Sequence, residues 1–78
     1  MTNTTAPRQP FPDTDHMIGQ WASLERIGSK RGQGNVPGVI VSVDPAPAGA
    51  RMTTATVRAD EDGQEYVVRV PREIAQQR

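Results

Sequence analysis

The sequence predicts an all-β fold, a small antiparallel barrel of four to five strands. Three observations predict it. First, Thr54-Ala55-Thr56-Val57-Arg58-Ala59 and Glu65-Tyr66-Val67-Val68-Arg69-Val70 alternate as strands do, around Asp60-Glu61-Asp62-Gly63-Gln64. Asp-Gly is a preferred hairpin turn because glycine tolerates φ > 0. Second, Pro37-Gly38 opens a β-branched run, Val39-Ile40-Val41-Ser42-Val43, the composition that suits a pleated, half-buried surface. Third, breaker-rich stretches, Gly28 to Asn35 and Asp44 to Gly49, separate these runs at short intervals.

Taken in order, residues 1–17 read as a disordered N-terminal arm and 18–78 as the domain. The arm is polar, with Pro7, Pro10 and Pro12 close together. Pro7-Arg8-Gln9-Pro10 has a PxxP spacing, but so short a match reads as a solvated tail. Ile18 to Ile27 allows two readings. As a helix it has Asp15 and Gly28 at cap positions, with Met17, Trp21 and Leu24 on one face, giving an αβββ arrangement. As a strand it supplies Trp21 to Ile27. Gly19 costs a helix about 1 kcal/mol against alanine, so the strand is favoured. In the next strand Val39, Val41 and Val43 are expected to face inward and Ile40 outward. Ala55, Val57 and Ala59 are inward in the third, and Tyr66, Val68 and Val70 in the fourth. Pro71 ends the fourth strand because it cannot donate to a ladder. Pro71-Arg72-Glu73-Ile74-Ala75 then suggests one helical turn, with Ile74 packing down.

Length and composition bound the rest. A chain of 78 residues holds one domain, and 35% hydrophobic residues with one Trp, one Tyr and one Phe make a thin core. Cysteine is absent and there is one histidine, which excludes disulfides and thiolate zinc sites. Nine basic and nine acidic residues give a net charge of +0, so no global field draws nucleic acid or membrane. No apolar run approaches a membrane span and no signal-peptide layout opens the chain, so a cytoplasmic protein is the expectation.

Chemistry-bearing motifs are few. Gly28, Gly32 and Gly34 lack the order of a phosphate-binding loop, since Lys30 precedes the later glycines. Asp60, Glu61, Asp62 and Glu65 lack a full calcium-loop spacing and read as an acidic turn. His16 has no nucleophile in a recognisable setting. No cofactor is expected, and the chain reads as non-enzymatic. Arg26, Lys30 and Arg31 cluster in and beside a glycine loop whose amides can approach phosphate. Arg58 and Arg69 are expected to flank each other outside the sheet, beside outward Ile40 and Val67, a mixed surface that suits a protein partner.

From strand, glycine loop, Pro-Gly-Val-Ile-Val-Ser-Val-Asp, Thr-Val-Arg-Ala, turn, Tyr-Val-Val-Arg-Val-Pro and terminal turn, residues 19 to 75 resemble the SH3-like barrel superfamily. Gly38-Val39-Ile40-Val41 after a basic loop resembles the KOW modules of ribosomal proteins and transcription elongation factors. That resemblance implies contact with nucleic acid or a ribonucleoprotein, through Arg26, Lys30, Arg31, Arg58 and Arg69. The barrel is shared with a photosystem subunit and with plasmid-borne dihydrofolate reductases that resist trimethoprim. Those enzymes are tetramers with a Gln-Ile-Tyr segment before the terminal turn, where this chain has Tyr66-Val67-Val68-Arg69. The reductase resemblance therefore implies a homo-oligomeric barrel rather than that catalysis. Three expectations follow: a nucleic-acid or ribonucleoprotein module; a protein-interaction or assembly module, including a homo-oligomer or a phage or plasmid accessory protein; and an oligomeric barrel enzyme.

Overall fold

A computed structural model describes residues 8–28 and 34–77. A 3-10 turn (Asp15–Met17) leads into strand β1 (Trp21–Glu25), followed by β2 (Asn35–Val43), β3 (Met52–Ala59), β4 (Glu65–Pro71) and a short helix α1 (Arg72–Gln76). The strands pair antiparallel in sequence order, β1-β2-β3-β4, and the sheet curls into a half-barrel. The segment open to helix or strand is thus a strand at its centre, and the αβββ arrangement is not adopted.

The β3–β4 hairpin forms as its sequence requires. Gly63 has φ 71°, and its amide donates to the Ala59 carbonyl at 2.9 Å while Ala59 N–H donates to Gln64 at 2.8 Å. Alternation then sends Ala55, Val57, Ala59, Val68 and Val70 into the core, with Tyr66 packed at its margin. Met17, Leu24, Val36, Ile40 and Ala75 complete the buried set, and Phe11, Ala22, Val43 and Ile74 pack against it.

Strand β2 departs from the expected phase. Ile40 is 1% exposed and Val39 37% exposed, the reverse of the alternation read from the sequence. The cause is a bulge. Ile40 pairs with Val57 but Ser42 pairs with Thr56, so Val41 is an extra residue and the two sides exchange there. Before the bulge, Val36, Gly38 and Ile40 face inward; after it, Val43 does. Gly38 marks a close approach of the two strands. A Cβ there would lie 2.1 Å from the Arg58 carbonyl oxygen, a backbone atom with little freedom to yield.

The described part of the expected arm, residues 8–17, is held against the sheet; residues 1–7 lie outside the described set. Arg72 does the holding. Its guanidinium donates to the carbonyls of Ala50 (3.1 Å), Pro10 (3.2 Å) and Gln9 (3.2 Å) and sits 5.3 Å from the centre of the Phe11 ring. The Gly49 amide adds a bond to the Gln9 carbonyl at 2.8 Å. Met17, at the end of the 3-10 turn, is buried in the core.

Candidate interaction site

The half-barrel has a seam where β1 meets β4. It is closed at one end only. Arg26 bridges to Val68 in antiparallel sense, and Ile27 N–H donates to the Val67 carbonyl at 3.0 Å. Among the described residues Arg26–Val68 is an isolated bridge, and β1 and β4 form no ladder. Beyond this point the strands part around an open groove of about 500 Å³ lined by Met17, Ala22, Ile40 and Ile74 on its apolar side and by His16, Gln20, Trp21 and Gln77 at its rim. The His16 ring (Nε2) and the Gln77 carbonyl, 2.8 Å apart, span the mouth.

Exposed apolar side chains lie at both ends of this boundary, Ile27 and Val67 at the bridged end and Ile18 and Trp21 at the open end. Trp21 is 59% exposed and Val67 49% exposed, and Ile18 and Ile27 are also well exposed. The parity of β1 explains Trp21: Leu24 is buried, so an odd-numbered position must face outward. Val39 lies directly across from Trp21 on β2. The Trp21 indole N–H donates to the Asp60 carboxylate at 2.6 Å, and Trp21 also lines the groove.

The basic candidates do not form one patch. Arg26 stacks over the Tyr66 ring at 4.8 Å, where the cation meets the negative ring face. Arg58 pairs across the hairpin with Glu65 at 3.7 Å, both well exposed, a pairing that contributes little to stability. Arg69 lies opposite Thr54, about 13 Å along the strand from the Arg58 row at ~3.4 Å per residue. Arg58 and Arg69 therefore do not flank each other, because the register sets their rows four positions apart. Ile40 leaves the expected outer surface altogether, and Trp21 and Val39 take its place. Lys30 and Arg31 lie outside the described residues.

Beside Arg26 the hairpin tip is acidic. Tyr66 O–H donates to Asp62 at 2.6 Å, and the Gln64 amide donates to the same carboxylate at 2.9 Å. The Tyr66 hydroxyl, then the Gln64 amide, hold the Asp62 carboxyl below its ordinary range; the same bond, chiefly, pushes the Tyr66 hydroxyl up. Glu61 and Asp62 share a small cleft with Arg26 and Gly34. The expected phosphate-facing loop therefore starts next to two carboxylates.

Among the described residues no group of three or more His, Cys, Asp or Glu side chains is placed to hold a metal ion. No described helix is long and apolar enough to cross a membrane. Set beside known proteins, the chain matches no family model, no curated protein and no solved structure.

Proposed function

We propose that the chain is a non-enzymatic module that binds a protein partner along the β1–β4 seam. The observation that carries this reading is Trp21, a large aromatic left 59% exposed beside an apolar groove. Tryptophan is among the residues that most often anchor protein interfaces, and a lone surface aliphatic would need no such account. The balanced charge of the chain fits a protein partner better than a polyanion. An SH3-like barrel is the superfamily this reading assumes, and the absence of cysteine fits a cytoplasmic setting.

The test is site-specific photocrosslinking. A benzophenone side chain at Val67, in lysate of the native host, should capture one dominant protein. Capture should fall when Trp21→Ala is added and should be absent when the probe sits at Thr54, away from the seam. Equal capture at both positions would refute the reading.

A second reading, a KOW-like contact with nucleic acid or a ribonucleoprotein, is favoured by one observation: Arg26, at the start of the glycine loop that carries Lys30 and Arg31, is held by the Tyr66 ring at 4.8 Å. Titration with a mixed RNA and DNA pool tests it. Binding through phosphate must weaken steeply with salt, and silence at low salt would remove it.

A further inference from the structure

The β3–β4 turn carries a chemically weak peptide unit. Asp62-Gly63 is the one place in the sequence where an aspartate or asparagine precedes glycine; Asp13, Asp15, Asp44, Asp60, Asn3 and Asn35 are all followed by larger residues. An aspartyl carboxyl can react with the amide nitrogen of the next residue, and glycine there has no side chain to hinder the approach. The turn needs that glycine. Its φ is 71°, a backbone conformation that other residues rarely adopt, although a Cβ would meet nothing within 4 Å. Asp62, Gly63 and Gln64 are exposed, so water reaches the site and burial does not shield it.

Hydrogen bonds hold every group that would react. One Asp62 carboxylate oxygen (Oδ1) accepts from the Gln64 amide at 2.9 Å. The other (Oδ2) accepts from the Tyr66 hydroxyl at 2.6 Å. The Gly63 nitrogen, the nucleophile, donates to the Ala59 carbonyl at 2.9 Å. Ring closure between Asp62 and Gly63 has to break all three. Tyr66 is itself fixed, since its ring lies against Arg26 at 4.8 Å and its backbone pairs with Val57. The Tyr66 bond, then the Gln64 bond, also hold the Asp62 carboxyl below its ordinary range. That disfavours the neutral acid, the form from which the oxygen can leave as water.

We propose that Asp62-Gly63 is a site of spontaneous aspartate isomerisation and that the Tyr66 hydroxyl is the latch that slows it in the folded chain. The Gly63 nitrogen bonds to the Asp62 side-chain carboxyl carbon and gives up its proton, and a carboxyl oxygen leaves as water. The succinimide so formed takes up one water again. Opening at the side-chain carbonyl restores aspartate; opening at the main-chain carbonyl gives isoaspartate. Water is the only co-reactant. In the product the chain runs through the Asp62 side chain, which lengthens the backbone by a methylene. The bonds from Gly63 to Ala59 and from Ala59 to Gln64 that close the turn then lose their geometry.

The test incubates the full chain in warm neutral buffer and reads isoaspartate at each aspartate by peptide mass spectrometry with electron-transfer fragmentation. The parent and Tyr66→Phe are each followed in buffer and in guanidinium chloride, with circular dichroism reading the fold. Isoaspartate should appear at Asp62 before any other position, and faster in guanidinium than in buffer. In buffer Tyr66→Phe should speed it about threefold to tenfold, the effect of one lost hydrogen bond. In guanidinium the two chains should match, because the latch is already open. The parent's own ratio of the two rates tests the protection without any substitution. First appearance at another aspartate in guanidinium would overturn the site. Equal rates for the parent in buffer and in guanidinium would overturn protection by the turn. Equal rates for the folded parent and the folded variant would overturn the role of Tyr66.

Discussion

The phase of β2 is the most consequential assignment in this fold, and two single substitutions test it. Ile40 is 1% exposed, so Ile40→Ala withdraws three buried carbons. At about 0.8 kcal/mol per buried methylene that is ~2.4 kcal/mol. The vacated space adds a cavity term. Because Ile40 borders the open groove, that cavity is vented and the term is small, so the total is about 3 kcal/mol. Val39, 37% exposed, loses two carbons that already touch water, and Val39→Ala should cost under about 1 kcal/mol. A 78-residue domain holds about 4–12 kcal/mol in all. The Ile40 variant should therefore give up a large share of its stability and melt roughly 12–24 °C lower, while the Val39 variant stays near the parent. Urea and thermal unfolding followed by far-ultraviolet circular dichroism read both. A loss at Val39 equal to or greater than that at Ile40 would refute the bulge and restore simple alternation through Val43.

Gly38→Ala should be more severe than its size suggests, because the new methyl meets the Arg58 carbonyl carbon and oxygen; forced separation of β2 and β3 costs about 1–3 kcal/mol or more, read as a lower urea midpoint. Arg72→Ala should release residues 8–12 and speed exchange of the Gly49 amide, which donates to Gln9; Arg72→Lys should not restore protection, since an ammonium cannot serve three carbonyls in a planar fork. The hairpin tip should show a two-sided pH dependence. Asp62 is held below its ordinary value, so its contribution is present above the unfolded value and lost as pH falls through the folded one, below about pH 4. Tyr66 is raised, so its contribution is present below the unfolded value near pH 10 and lost as pH rises through the folded one. Tyr66→Phe should raise Asp62 toward the ordinary carboxylate range in a carboxyl-detected NMR titration, with the Gln64 amide still lowering it in part.

The hairpin was legible because its signals are local and agree. Asp62-Gly63 forces a turn, and the flanking runs alternate cleanly, so Ala55, Val57, Ala59, Val68 and Val70 could be assigned inward without knowing their partners. β2 was not legible in the same way. Four of five residues from Val39 to Val43 are apolar, so either phase reads as core, and only pairing with β3 introduces the bulge. Gly38 carried the missing signal, since a glycine inside a β-branched strand marks a close backbone approach. The clasp on residues 8–17 was hidden for another reason. Its acceptors are backbone carbonyls of Gln9 and Pro10, which no side-chain pattern announces, and its donor lies more than sixty residues away. Of the candidate site, Trp21 could have been read as exposed from its odd parity against Leu24. The seam itself required knowing that β1 and β4 form no ladder beside the Arg26–Val68 bridge.

The Arg72 clasp also bears on the order in which the chain assembles. The meander is built from neighbouring hairpins, whose loops close with little entropic cost. Arg72 to Gln9 and Pro10, and His16 to Gln77, join residues 63, 62 and 61 positions apart, and such contacts become affordable only after the intervening strands have shortened the path. The N-terminal strap should thus dock last and lift first. While it is lifted, the hollow that receives Phe11 and Met17 stands open beneath a sheet that is otherwise complete, so the least stable opening of this molecule leaves its hydrogen-bonded strands intact.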